Sequence, residues 1–329
     1  MKGLYWERSE EAGIQCRLCP HMCLIMPGRH GRCRVRFNRD GQLDIPFYGR
    51  VSSVAVDPIE KKPLYHFFPA SSILSVGFVG CSFRCPFCQN FSISQSTNQT
   101  SNQILPPEQL VGMAIERDSF GLAYTYSEPI VHLEYVLDCA RLAHKHGLKN
   151  VLVSNGFVNA EPAEELLSVL DAANIDLKSF NSDFYKSEIG GDLEAVKRFL
   201  ARAAKKIHLE VTTLVIAEKN DSPDEIDSIT RFLADLDPEI PYHLSCYFPA
   251  YRYTLPPTNP ETVSRLAAIA RRHLSFVYLG NVGLASTDTL CPDCGQVLIR
   301  RTGYRVSISG MNQDRCSKCD RRIPIPGLR

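Results

Sequence analysis

An excess of charge of one sign is missing from this sequence: 37 Lys and Arg stand against 36 Asp and Glu in 329 residues, a formal net charge of +1. Without an overall field, the chain is not expected to bind nucleic acid or an anionic membrane through bulk charge. The basic stretches RRTGYR and RRIPIPGLR are too short to track phosphates. Long apolar runs are missing too. None approaches the roughly 18 residues of a membrane span, and the opening MKGLYWERSEE has no apolar export-signal core. The expectation is a cytoplasmic protein with neither membrane nor nucleic acid as partner. Material for a core is not lacking: 44% hydrophobic residues argue against disorder and predict one large domain or two ordinary ones.

Cysteine is short in one place only. VGCSFRCPFCQN, residues 79–90, spaces Cys81, Cys85 and Cys88 as C-x3-C-x2-C, three thiolates where a closed site wants four. Elsewhere Cys16, Cys19, Cys23 and Cys33 form one set, and Cys291, Cys294, Cys316 and Cys319 another. In a cytosolic chain of this size, clustered thiols read as metal ligands rather than disulfides. Cys139 and Cys246 stand alone and read as small buried hydrophobes.

Between the loop and the last set, apolar runs alternate with amphipathic ones. SILSVGFVG, GLAYTYSEP, NVLVSNG, NIDLKSF, HLEVTTLVI, YHLSCYFPAY and FVYLGN read as strands, with helical segments between them. Such repeated units predict an α/β fold with a parallel sheet, a partial or complete (β/α) barrel, with a flat doubly wound sheet as the alternative. Functional groups of a parallel barrel gather at the carboxyl ends of its strands. There the sequence places the three-cysteine loop, then Ser127 and Glu128, Ser154 and Asn155, Asp176 and Lys178, with His243 and Asn281 on the last two strands. EKKPLYHFF, residues 60–68, is expected to close over the site or to face a partner.

Three thiolates leave one iron of a cubane cluster open, and an open coordination position is a catalytic device. Zinc is the competing occupant. The loop's spacing and its Phe83 and Phe87 suit a [4Fe-4S] cluster better.

These residues resemble the radical S-adenosylmethionine (SAM) superfamily, and GCSFRCPFCQN is similar to its branch that activates glycyl radical enzymes, among them pyruvate formate-lyase activating enzymes. CRLCPHMC with GRCRVR, VDPIEKKPLYHFFP, YTYSEP, NIDLK and VYLGN together resemble the radical SAM enzyme of the AmmeMemoRadiSam system. The resemblance implies an oxidoreductase in which Cys81, Cys85 and Cys88 hold a [4Fe-4S] cluster whose open iron takes SAM. It implies that Glu128 receives the SAM ammonium, that Lys178 faces the carboxylate, that His243 lies near the ribose and that Phe87 lies against the adenine. Asn155 and Asp176 are expected to face the cofactor as well. Tyr126 and Ser127 stand where the wider superfamily has two glycines. Implied partners are an electron donor such as flavodoxin or ferredoxin, and Memo-like and AMMECR-like proteins.

CPDCG and CSKC, with two strand-like runs between them, predict a closed zinc ribbon, with a rubredoxin-like iron as the alternative. C-x2-C-x3-C-x9-C at Cys16, Cys19, Cys23 and Cys33 allows zinc or an auxiliary cluster, zinc being preferred. The expected divisions are a Cys-rich extension at 1–70, a radical SAM barrel at 71–285 and a ribbon-like module at 286–329. Three functions follow from this reading: a radical SAM enzyme of the AmmeMemoRadiSam type, a glycyl radical activating enzyme, or a zinc-ribbon adaptor without catalysis. Intact Cys81, Cys85, Cys88 and Glu128 argue against the last.

Overall fold

The computed structural model describes residues 1–10, 12–98, 104–283 and 287–328. Its centre is one eight-stranded sheet: β1 (Ser53–Pro58), β2 (Ser72–Gly77), β3 (Gly121–Thr125), β4 (Lys149–Ser154), β5 (Ala172–Asp176), β6 (His208–Val215), β7 (Tyr242–Cys246) and β8 (Val277–Gly280), neighbours in that order. Strands β2 to β8 run parallel. Only β1 is antiparallel, paired with β2. β1 and β8 do not pair with each other, so the barrel is partial. It is curled rather than flat, because Thr125, Val153, Asp176, Thr212 and Ser245, from five successive strands, line one cavity.

The crossovers carry α1 (Pro107–Glu116), α2 (Leu133–Lys145), α3 (Ala160–Leu167), α4 (Leu193–Ala203), α5 (Pro223–Leu236) and α6 (Pro260–Ala270). Sequence fixes their ends and faces. Ser222 caps α5 by accepting the Glu225 N–H, Asp192 caps α4, and α4 buries Val196, Phe199, Leu200 and Ala203 at helical spacing. Cys139 on α2 and Cys246 on β7 are buried, as their apolar settings predict.

Residues 53–68 depart from the expected plan. They supply β1 and a plug across the amino-terminal ends of the strands, where Ile59, Leu64 and Phe67 pack on Ile73, Ala123, Val151 and Ala172. The stretch expected to cover the site therefore lies mostly beneath it, although Lys61 and Pro63 reach the cavity from below. Burial is tolerated where polar groups are paired: Lys62 Nζ lies 2.7 Å from Asp57, and the His66 N–H donates to Glu210 at 2.7 Å.

Before β1, a small antiparallel sheet (Trp6–Arg8, Ile14–Cys16, Leu24–Ile25) and a hairpin (Phe37–Arg39, Gln42–Asp44) carry the first cysteine set. The buried Arg36–Glu134 ion pair, 2.9 Å, fastens them to α2. The expected 285/286 boundary lies outside the described residues. Beyond it, Val297–Thr302 and Arg305–Ile308 form the two strands read from the sequence, joined by Thr289–Leu290 in one antiparallel sheet. This module shares its core, Leu298, Ile299 and Ile323, with Phe276 and Tyr278 of the barrel edge. Among the described residues, no helix is long and apolar enough to cross a membrane.

Candidate active site

β2 delivers the chain through Gly80 into the cysteine loop. Gly80 has φ +73°, and a Cβ there would meet the Cys33 carbonyl oxygen at 2.4 Å, so glycine lets the first cysteine segment pack directly on the loop. The loop is then pinned at several points. The Phe83 N–H donates to Cys81 Sγ at 3.3 Å, the Cys88 N–H donates to the Cys85 carbonyl at 3.3 Å, and Cys88 Sγ lies 3.2 Å from Ser94 Oγ. Phe83 is buried against Phe157 and Tyr185. Phe87 is buried near Phe184 and Tyr253, with Lys178 Nζ 6.0 Å from its ring centre.

A cavity of about 310 Å³ opens over this loop, lined by Cys81, Cys85, Cys88, Phe87, Glu128, Asn155, Asp176 and Lys178 among others. That is the size of a small-ligand pocket. Glu128 is 1% exposed. It accepts from Ser154 Oγ at 2.7 Å, from the Asn155 N–H at 2.9 Å and from the Ile130 N–H at 3.1 Å. Burial nevertheless pushes its pKa up to about 7, with Asp176 adding to the rise. Asn155 Nδ2 reaches Ser82 Oγ at 3.1 Å and lies 3.8 Å from Cys81 Sγ. Lys178 Nζ donates to Asp176 at 2.9 Å; burial opposes its charge, but Asp176 more than compensates and holds the ammonium above its usual range.

Burial pushes Cys85 up to about 12 and Cys81 well above the usual thiol value. No fourth cysteine lines the cavity, so three thiolates and a free position are what this chain offers a cubane.

Tyr126 and Ser127 both adopt the left-handed backbone, φ 47° and 68°, at the two positions where the superfamily carries glycines. The conformation is kept without glycine because both side chains are anchored. The Tyr126 hydroxyl donates to Asp57 at 3.2 Å, its ring lies 4.6 Å from Lys62 Nζ, and the Ser127 hydroxyl donates to the Gly80 carbonyl.

One site residue read from the sequence stands elsewhere. His243 is the second residue of β7, and its Nε2 lies 2.6 Å from Glu210, away from the cavity lining. Ser245, two residues on and on the same face of the strand, lines the cavity in its place. Thr212 and Leu214 also line it and were not singled out in the sequence. The period-2 alternation of β6 was the available signal, since Glu210, Thr212 and Leu214 share one face. Asn281 joins the lining just past β8, and Lys178 lies two residues beyond the end of β5.

Far from this cavity, Cys291, Cys294, Cys316 and Cys319 bring their sulfurs within 4.8 Å of one another. That closed set matches the spacing of a tetrahedral zinc ribbon.

Comparison with known proteins gives the fold its relatives. A family model described as the radical SAM superfamily matches residues 75–233. An uncharacterized protein of Methanocaldococcus jannaschii is 38% identical over 333 residues, spanning 98% of this chain and 99% of that one. The pyruvate formate-lyase 1-activating enzyme of Escherichia coli K12 is 26% identical over 180 residues, 50% of this chain and 72% of that enzyme. Among solved structures, a domain of pyruvate-formate lyase-activating enzyme from Bacteroides vulgatus shares 20% identity with a TM-score of 0.43, covering 49% of this chain and 99% of that one.

Proposed function

This chain belongs to the radical SAM superfamily, and from that premise we propose that it takes a hydrogen atom from a substrate seated at the mouth of the cysteine-lined cavity, with a Memo-like protein as companion. When bound, a [4Fe-4S] cluster and SAM supply one-electron cleavage of a sulfonium carbon–sulfur bond to methionine and a 5'-deoxyadenosyl radical. The chain's residues hold and orient. Cys81, Cys85 and Cys88 are the ligands, and their loop leaves one coordination position free. Glu128 accepts the SAM ammonium, Lys178 faces the carboxylate, Phe87 offers its ring to the adenine, and Asn155 and Asp176 line the seat. Val153, Leu214 and Phe83 contribute apolar wall to the seat.

The observation that carries this reading is the convergence of three loop cysteines with the buried Glu128 on one cavity. The companion rests on the sequence resemblance to the AmmeMemoRadiSam enzyme. The test is 5'-deoxyadenosine formation by the anaerobically reconstituted protein, reduced by flavodoxin or ferredoxin, with and without a Memo-like protein. Product that needs Cys81, Cys85 and Cys88 and rises with the companion supports the reading. Product lost in no cysteine variant contradicts the site, and product indifferent to the companion contradicts the partnership.

A second reading, activation of a glycyl radical enzyme, draws on the 26% identity to the pyruvate formate-lyase 1-activating enzyme. It requires a glycyl radical signal on a large partner, which the first reading does not.

A further inference from the structure

We propose that Ser94, held by Gln95, donates its hydroxyl proton to the Cys88 thiolate and thereby raises the reduction potential of a cluster bound at the Cys81 loop. The inference concerns this chain's own residues and rests on the reading of Cys81, Cys85 and Cys88 as cluster ligands.

Geometry decides which atom gives the proton. Cys88 Sγ lies 3.2 Å from Ser94 Oγ, and a metal-bound thiolate carries no proton, so the hydroxyl is the donor of this pair. The serine oxygen is engaged from its other side. Gln95 Nε2 lies 3.2 Å from Ser94 Oγ and 3.3 Å from the Phe83 carbonyl oxygen. A carbonyl only accepts, so the Gln95 atom between them is the nitrogen, and it donates to both. Ser94 therefore accepts from Gln95 and keeps its proton for sulfur.

The backbone holds the serine over the loop. The single helical turn Phe91–Ser94 follows the third cysteine, the Ser94 N–H donates to the Asn90 carbonyl at 2.8 Å, and the Gly80 N–H donates to the Ile93 carbonyl at 2.9 Å. The end of the turn is thus tied to the entry of the loop. A serine hydroxyl so placed commonly bonds the carbonyl four residues back. Ser94 does otherwise: among the described residues, the partners of its oxygen are Cys88 and Gln95. Ser94 is 1% exposed and lines the cavity, where little water competes for the bond.

The ligands are not served alike. Cys81 Sγ accepts from the Phe83 backbone N–H at 3.3 Å, with the Asn155 amide farther off at 3.8 Å, whereas Cys88 has a side-chain hydroxyl at 3.2 Å. One-electron reduction adds negative charge that the ligand sulfurs share, and a donor to sulfur stabilises it. Ser94 makes the electron easier to accept.

The test is an EPR-monitored redox titration of the full chain, reconstituted anaerobically with iron and sulfide and read before SAM is added. The signal followed is the reduced-cluster signal that a Cys81→Ala, Cys85→Ala, Cys88→Ala variant lacks. Ser94→Ala is expected to shift its midpoint to lower potential, and Ser94→Thr, which keeps a hydroxyl, to bring it back toward wild type. A midpoint unchanged or higher in Ser94→Ala overturns the inference. So does a Ser94→Thr midpoint as low as that of the alanine variant, because the shift would then follow packing rather than the proton. If Ser94→Ala takes up no cluster, Gln95→Leu decides, since it leaves the serine in place and removes the N–H that orients it. A lowered midpoint there supports the inference, and a wild-type midpoint overturns it. Failure of the cluster reading looks different: wild type would then show no iron–sulfur signal beyond that of the triple-cysteine variant.

Discussion

Ser154 donates its hydroxyl to Glu128 at 2.7 Å, so the end of β4 holds the carboxylate that ends the β3 turn. Even with three donors, Glu128 has a pKa of about 7, because burial penalises its charge. The value is raised, so the protonated form predominates below pH 7 and the carboxylate above it. An ammonium needs the carboxylate. SAM affinity should therefore rise between pH 6 and pH 7.5, following the ionised fraction. Glu128→Gln should bind more weakly and lose this slope in calorimetric titration; an unchanged slope in the variant would assign the titration to another group.

Ser127 tests the left-handed turn. Its φ of 68° is relieved by glycine, while its hydrogen bond to the Gly80 carbonyl is lost. These effects are each about 1 kcal/mol and oppose one another, so Ser127→Gly should leave the urea midpoint nearly unchanged. A β-branched side chain has no such relief. Ser127→Val should lose about 2 kcal/mol or more in the same unfolding experiment, and equal stability of the two variants would show that the turn relaxes freely.

The fold's rhythm was legible where local signals agree. Ser222 and Glu225 announce α5, and the apolar β2 run announces a buried strand. β1 was not, because SVAVDP is largely exposed and becomes a strand only by pairing with β2 across the plug. The plug departs from its expected place for a related reason: Lys62 and His66 look like surface residues until Asp57 pairs the Lys62 ammonium and the Tyr278 hydroxyl, distant in sequence, meets His66 Nε2 at 2.5 Å. At the site, spacing exposed Cys81, Cys85 and Cys88, whereas His243 and Ser245 share a strand face and differ only in depth. Alternation reveals the face and not the depth.

Arg301 joins the ribbon to the plug. Its Nη2 donates to the Tyr65 carbonyl at 2.7 Å, its Nη1 donates to Thr289 Oγ1 at 2.7 Å, and its guanidinium lies 4.4 Å from the Tyr65 ring centre. Arg301→Met should weaken this docking by about 2–4 kcal/mol, since it leaves buried acceptors unpaired. Limited proteolysis should then cut the carboxyl-terminal module faster, and a chelator that strips metal from Cys291, Cys294, Cys316 and Cys319 should have the same effect on the wild-type chain loaded with zinc. Unchanged cleavage in both would mean that the shared core with Phe276 and Tyr278 suffices.

His243 and Glu210 provide a test that separates support from cofactor contact. Glu210 is fully buried, with His243 Nε2 at 2.6 Å, His208 Nε2 at 3.0 Å and the His66 N–H at 2.7 Å. Burial alone would raise its pKa, yet the two histidines hold it well below the usual carboxylate range. A depressed pKa contributes stability that is present above the unfolded value, near 4.5, and lost as pH falls below it. His243→Phe should therefore cost about 2–4 kcal/mol at pH 7 and less at pH 4, measured by urea unfolding. SAM affinity should stay within about twofold, because Ser245 rather than His243 meets the cavity. A large loss of affinity at unchanged stability would instead return His243 to the cofactor.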